Sequence, residues 1–272
     1  MLLVSWIKHR SGASYVDWRI MAKTAILVDG GFYKRVAEKL WGYKEPEQRA
    51  DELYQYAILH ITEKRDAKIE LERRELYRIF YYDCPPIENA AVYHPLKKRN
   101  VNFNSKNDRY KWNHTFQKTL GEMRKVALRF GKRVTANAKY NLKPDVTKGL
   151  LSGKTRIEDL TESDFILNMK QSGVDMRIGL DIASLAYEGI DDQIILISGD
   201  VDFVPAAKVA RRRGIDFIVD NMVEHIRDDL KIHADGIITM INSMNDDGMP
   251  KKRRSAERSP ATTIEHDGAS SE

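Results

Sequence analysis

One cysteine, Cys84, stands in a chain of 272 residues. That excludes an intramolecular disulfide and any zinc cluster built on cysteines, and it accords with a reducing, cytoplasmic setting. Histidines are scarce too, seven in all. His60, His94, His114, His225 and His233 show no H-x-x-x-H spacing, so they read as structural or exposed. No apolar run approaches the roughly 18 residues of a membrane span, and no membrane partner is expected. The opening MLLVSWIKHR reaches a charge at Lys8, too early for a signal-peptide core. Met21 directly precedes the first apolar strand and is a candidate start, which makes residues 1–21 an N-terminal extension. The first strand-to-helix turn, VDGGFYKR, lacks the G-x-G-x-x-G spacing of dinucleotide-binding folds.

What is present is an ordinary globular composition, 42% hydrophobic, in a length that suits one α/β domain with insertions. The net charge of +5 is unevenly spread. Residues 97–148 hold fifteen Lys/Arg against three acids, a net of +12 that leaves −7 elsewhere. A basic region beside an acidic one suits a polyanion that is held and then met by a cation. Within it, Lys97, Lys98, Arg99, Lys106, Arg109 and Lys111 interleave with Phe103, Tyr110, Trp112 and Phe116. Cations track phosphates while aromatic rings stack on bases, so the six cations and Trp112 are the candidate nucleic-acid contacts. Phe116, Leu120, Met123 and Ala127 recur at helical spacing and read as core.

Three segments carry the chemistry. TAILVDGGFYKRVAEKL (24–40) runs from an apolar strand to Asp29, two glycines and a helix. SGVDMRIGLDIASLAYEG (172–189) places Asp175 at a helix start and Asp181 six residues on, and IILISGDVDFVPAAKVARRRG (194–214) places Asp200 and Asp202 after a strand. The plain structural reading makes Asp202 the cap of the helix that follows. If the strands are parallel, Asp29, Asp175, Asp200 and Asp202 converge on one rim, where carboxylates repel unless a cation lies between them. Oxygen-only ligands suit Mg²⁺ or Mn²⁺. Asp181 lies about 120° round the helix from Asp175, so the two share an ion only if Asp175 precedes the regular turns. Asp83 ends the strand YRIFYYD at the same rim, where a turn before Pro85 and Pro86 explains it better than a substrate path does.

Alternating elements predict a mostly parallel central sheet with helices on both faces. Strands are expected at 24–28, 76–82, 132–141, 194–198, 215–220 and 236–240. Helices are expected at 31–41, 48–64, around 88–98, 107–129, 174–187, 203–213 and 223–233, with 142–163 irregular. The polar stretch from 244 to 272, with its KKRR run, reads as a disordered tail.

ILVDGGFY, SGVDMRIGLDIASLA and ILISGDVDFVPAAKVARRRG together resemble the NYN domain, in its LabA-like (DUF88) branch of the PIN-like nuclease superfamily, over roughly residues 22–243. The resemblance implies a Rossmann-like, PIN-like three-layer α/β/α fold, interrupted by a basic helical insertion at about 88–163. It also implies an acidic, metal-dependent site for RNA cleavage. Carried over by position, the catalytic and metal-holding residues are Asp29, Asp175, Asp200 and Asp202, with Asp181, Asp83 and Lys170 as supporting candidates. Phe32 replaces the Asn often found in the first motif, Ser172 the Lys before Gly-Val-Asp, and Val201 the middle Ser of the third. The expected function is a metal-dependent ribonuclease acting on single-stranded RNA, with a homo-oligomer as a candidate assembly. The alternative is a non-catalytic RNA-binding or regulatory module. A haloacid-dehalogenase-type site would need a second Asp where Gly31 stands, and a Toprim site a Glu where Asp29 stands.

Overall fold

The computed structural model describes residues 22–62 and 74–251, without the side chains of 134–137, 170 and 171. The extension before 22 and the tail beyond 251 lie outside the described residues.

The chain opens with β1 (Ala22–Asp29), α1 (Gly30–Trp41), α2 (Pro46–Thr62) and β2 (Arg74–Asp83). It continues through a hairpin of β3 (Ala90–His94) and β4 (Arg99–Phe103), then α3 (Asp108–Glu122), β5 (Val126–Phe130) and β6 (Lys132–Leu142). Next come α4 (Pro144–Leu151), β7 (Phe165–Ser172), α5 (Val174–Glu188) and β8 (Gln193–Ile197). The last elements are α6 (Val204–Arg212), β9 (Asp216–Asp220), α7 (Asp228–Ile232) and β10 (Gly236–Ile237).

Six strands form one parallel sheet in the order β10-β9-β8-β1-β2-β5. Thr24–Val28 and all of β8 are buried, as strands covered on both faces must be. Successive side chains point to opposite faces, so β1 feeds two cores. Ile26 and Val28 join Ile79, Tyr81 and Ile195 under α1, α2 and α3. Ala25 and Leu27 join Phe80, Leu196 and Phe217 under α5 and α6. The result is a three-layer α/β/α fold, as expected. From β1 the chain passes outward through β2 to β5, and it returns on the other side of β1 as β8 and β9. The direction of winding therefore switches between β1 and β8, and the crevice outside their carboxyl ends is where such sheets bind ligands.

Several sequence expectations are corrected. The segment expected as a helix at 88–98 is the hairpin β3–β4, in which Val92 and Phe103 are buried and Tyr93 is exposed. That alternation is strand periodicity, and Lys98 supplies the left-handed turn residue at φ 49°. The 107–129 helix stops at Glu122, Lys125 takes φ 62°, and β5 joins the central sheet beside β2. The basic stretch is thus not one helical insertion. Part of it is the edge of the sheet, and β6 pairs with the unforeseen strand β7. The helix expected at 223–233 shrinks to α7, because Met222 and Val223 take positive φ just before it. Residues 244–251, expected as the start of the tail, pack against the domain. Met244 is buried and bridges to Pro250, and the Lys44 ammonium donates to the Asp247 carbonyl.

One buried charge has a consequence for stability. Asp191, between α5 and β8, is 3% exposed, and neither carboxyl oxygen finds a hydrogen-bond partner among the described residues. Burial, then the charge of Asp192, pushes its pKa up to about 7. The folded state therefore holds this proton more tightly than the unfolded chain, which releases it near 4. Stability is expected to fall as pH rises from about 4 to about 7, and then to change no further on account of this group. Asp191→Asn should flatten that window and raise Tm at pH 8 more than at pH 4, as thermal melts across pH will show.

Candidate active site

The carboxyl ends of β1 and β8 face each other across the switch point, and the site is built on the turns that follow them. Asp29 ends β1 and caps α1. Its Oδ1 accepts from the backbone N–H of Gly31 at 3.0 Å and of Phe32 at 3.1 Å, and its Oδ2 accepts from the Ser198 hydroxyl at 3.3 Å. Gly30 lets the turn pack closely against β2. A Cβ on Gly30 would collide with the Tyr81 ring and the Tyr82 carbonyl. Burial raises the Asp29 pKa, the two N–H groups pull it back, and the charge of Asp175 raises it again.

After β8 the chain turns through Ser198, Gly199 and a short 3₁₀ turn at Val201–Phe203. Here the roles of the two aspartates are reversed from the plain reading. Asp200 is the cap, its Oδ1 accepting from the Asp202 N–H at 3.0 Å, while α6 starts from Phe203 with no side-chain cap. Asp202 is exposed and makes none of the described side-chain hydrogen bonds. Asp175, in the first turn of α5, completes the group. Partial desolvation raises its pKa, and the charges of Asp200 and Asp202 raise it further.

All four aspartates line one cleft of about 650 Å³. Burial, and after it the neighbouring carboxylates, hold the pKa values of Asp29 and Asp175 up. Among the described residues, no three His, Cys, Asp or Glu side chains stand close enough together to share one ion. The donor set still suits a small hard cation, because Mg²⁺ typically takes one or two carboxylates directly and keeps several waters. Asp202 and Asp175 carry oxygens free for that role.

Sequence reasoning missed other walls of the cleft: Ser198, Arg35, Glu224, His225 and Arg227. Arg35 was within reach of a pattern argument, since it lies four residues beyond Gly31 and so on the same helix face. Glu224 to Arg227 were expected within the helix at 223–233, and the structure makes them an irregular loop before α7. Phe32, in the place often held by Asn, is a nearly buried wall of the cleft, with the Arg35 guanidinium 5.6 Å above its ring.

Two supporting candidates are corrected. Asp83 is 1% exposed and turned inward. It accepts from Lys34 at 2.6 Å, the Tyr81 hydroxyl at 3.0 Å and the Cys84 N–H at 2.7 Å. Asp181 faces the sheet, where it accepts from the Tyr82 hydroxyl at 2.7 Å and from Arg129 at 3.2 Å. Neither lines the cleft. The Lys170 side chain lies outside the described residues.

Of the expected nucleic-acid contacts, Lys98, Arg99, Lys106 and Arg109 are exposed, as is Lys111 beside Asp108 at 3.7 Å. Lys97 pairs with Glu162 at 2.6 Å. None lines the cleft, but the chain reaches the β3–β4 hairpin from the carboxyl end of β2 and leaves β7 directly into α5. Both hairpins therefore root on the edge that carries the aspartates. Phe103 is core, while Trp112 is half-buried and donates its indole N–H to the Lys44 carbonyl at 3.0 Å.

Among known proteins, the model of the NYN domain matches residues 92–241. That span holds Asp175, Asp200 and Asp202, and it begins after β1 and Asp29. No curated protein matches the chain. A crystal structure of a Vibrio parahaemolyticus protein of unknown function is similar at 15% identity, covering 80% of this chain and 92% of that one. Its TM-score of 0.40 is too low to carry an argument. No helix of the described residues is long and apolar enough to cross a membrane. With over half its length matched, the chain belongs to the NYN domain family, within the PIN-like nuclease superfamily.

Proposed function

We propose that the protein is a metal-dependent ribonuclease of the LabA-like branch that hydrolyses single-stranded RNA in the acidic cleft. The observation that carries this reading is the convergence of four aspartates from three separate segments on the crevice at the switch point. Asp29 and Asp200 also cap turns, but hydrogen bonding within the fold does not account for Asp175 and Asp202, which make none of the described side-chain hydrogen bonds. Asp29, Asp175, Asp200 and Asp202 would hold Mg²⁺ or Mn²⁺. When bound, the ion would activate water and offset charge on the phosphate and the leaving oxygen.

The chain's own groups set the stage for that chemistry. Two backbone N–H groups and Ser198 fix the Asp29 carboxylate, so it needs no reordering on binding. Arg35 and Arg227 are exposed at the cleft wall, where guanidinium groups hold a phosphate by paired hydrogen bonds. The exposed cations of the hairpin and α3 supply sequence-independent affinity. A reducing, cytoplasmic setting accords with the lone, buried Cys84.

A second reading, an RNA-binding module without catalysis, draws support from Phe32 standing where a polar group is often found and from the lack of a preformed three-carboxylate cluster. Incubation with single-stranded RNA and Mn²⁺ or Mg²⁺ separates the two. Cleavage abolished by EDTA is expected; RNA bound but intact under every divalent ion would establish the second reading.

A further inference from the structure

We propose that a second hollow, across α1 from the acidic cleft, receives one unpaired base of the bound RNA; this rests on the ribonucleic-acid reading above. The hollow has a volume of about 430 Å³, within the range of small-ligand sites, and Tyr43 and Trp112 are its aromatic walls. Helix α1 separates the two sites. Phe32 and Arg35 line the acidic cleft, and Lys34 and Glu38 line the hollow. Lys34 and Arg35 are consecutive, so the sites lie on adjoining faces of one helix. A strand whose phosphate lies against Arg35 has a neighbouring nucleotide at the hollow.

The chemistry of the hollow favours a flat, uncharged group. Trp112 is held rigidly, with its ring stacked on buried Phe116 at 5.3 Å and 10° and its N–H tied to Lys44. Tyr43 follows the left-handed Gly42 and is 69% exposed, with much of its ring uncovered. Three of the four cations that line the hollow are already engaged by carboxylates. Lys34 pairs with Asp83 and Asn113, and Lys44 and Arg49 both pair with buried Glu52. Glu38 and Asp108 also line the hollow, together with the exposed Arg109. A phosphate entering the hollow therefore meets cations mostly held by carboxylates already, whereas a base finds rings to stack on, and stacking tolerates any base.

The test measures binding by fluorescence anisotropy in EDTA, with an oligouridylate octamer and an octamer of the same length that lacks every base. Tyr43→Ala should weaken binding of the uridylate roughly tenfold and leave the abasic strand unchanged, because only the first has rings to stack. Trp112→Phe, which keeps a ring on Phe116, should give a smaller loss confined to the uridylate. Equal losses on both strands would overturn the proposal in favour of a backbone contact. No loss on either would overturn it outright while leaving the RNA reading in place. If the unmodified protein binds neither strand, both the proposal and the RNA reading fall.

Discussion

Asp202→Asn is expected to reduce Mn²⁺-dependent cleavage of single-stranded RNA by about 100-fold, the usual cost of removing one electrostatic contributor from an active site. Its Tm should stay within about 2 °C of the unmodified protein, as for an exposed substitution that breaks no contact. The separation is clean because Asp202 has no part in the local fold. The 3₁₀ turn is capped by Asp200, which accepts the Asp202 backbone N–H. Asp200→Asn should lose at least as much activity, and it too should fold, since Asn caps about as well as Asp. Full activity in either variant, measured as initial rate at saturating protein, would remove that carboxylate from the site. A fall in Tm matching the fall in rate would assign it a structural role instead.

Asp83→Asn is expected to do the reverse. It should destabilise the protein by about 3 kcal/mol, in the range seen when one partner of a buried pair is removed. The physical reason is the number of donors aimed at this carboxylate: Lys34 and the Tyr81 hydroxyl on one oxygen, the Cys84 N–H on the other. An amide offers one accepting oxygen, so its NH₂ must face donors on one side. Tm should drop by about 10 °C for a domain of this size, and cleavage per folded molecule should persist well below that temperature. A normal Tm with lost cleavage would return Asp83 to the active site.

These two aspartates show what was and was not legible in the sequence. Both end or follow apolar strands, and both were expected at the carboxyl edge of the sheet, where they are. Strand-end position follows from hydrophobic pattern. Which way a side chain turns from that edge depends on partners distant in sequence, such as Lys34 and Tyr81, and no local pattern carries it. The same limit explains the hairpin β3–β4. Its ten paired residues are short and mixed in character, and only packing against β6 and β7 makes Val92 and Phe103 a core. Parallel strands β1 and β8 were plain because burial on both faces writes a continuous apolar run. Asp29, Asp175, Asp200 and Asp202 stood out because acids at strand ends and helix starts are conspicuous, and all four line one cleft. Arg227 was missed because the pattern read as a helix over 223–233, whereas only Asp228–Ile232 is helical.

The chemistry of the new RNA ends tests the central claim most directly. Hydrolysis by water leaves a phosphate monoester and a free hydroxyl, and it needs nothing from the sugar. Attack by the 2′-hydroxyl of RNA itself, which requires no metal, leaves a 2′,3′-cyclic phosphate. We expect monoester ends, no cyclic phosphate, and undiminished cleavage at a position made 2′-deoxy. Cyclic phosphate ends, or products that form equally in EDTA, would contradict a metal-assisted hydrolysis in the acidic cleft.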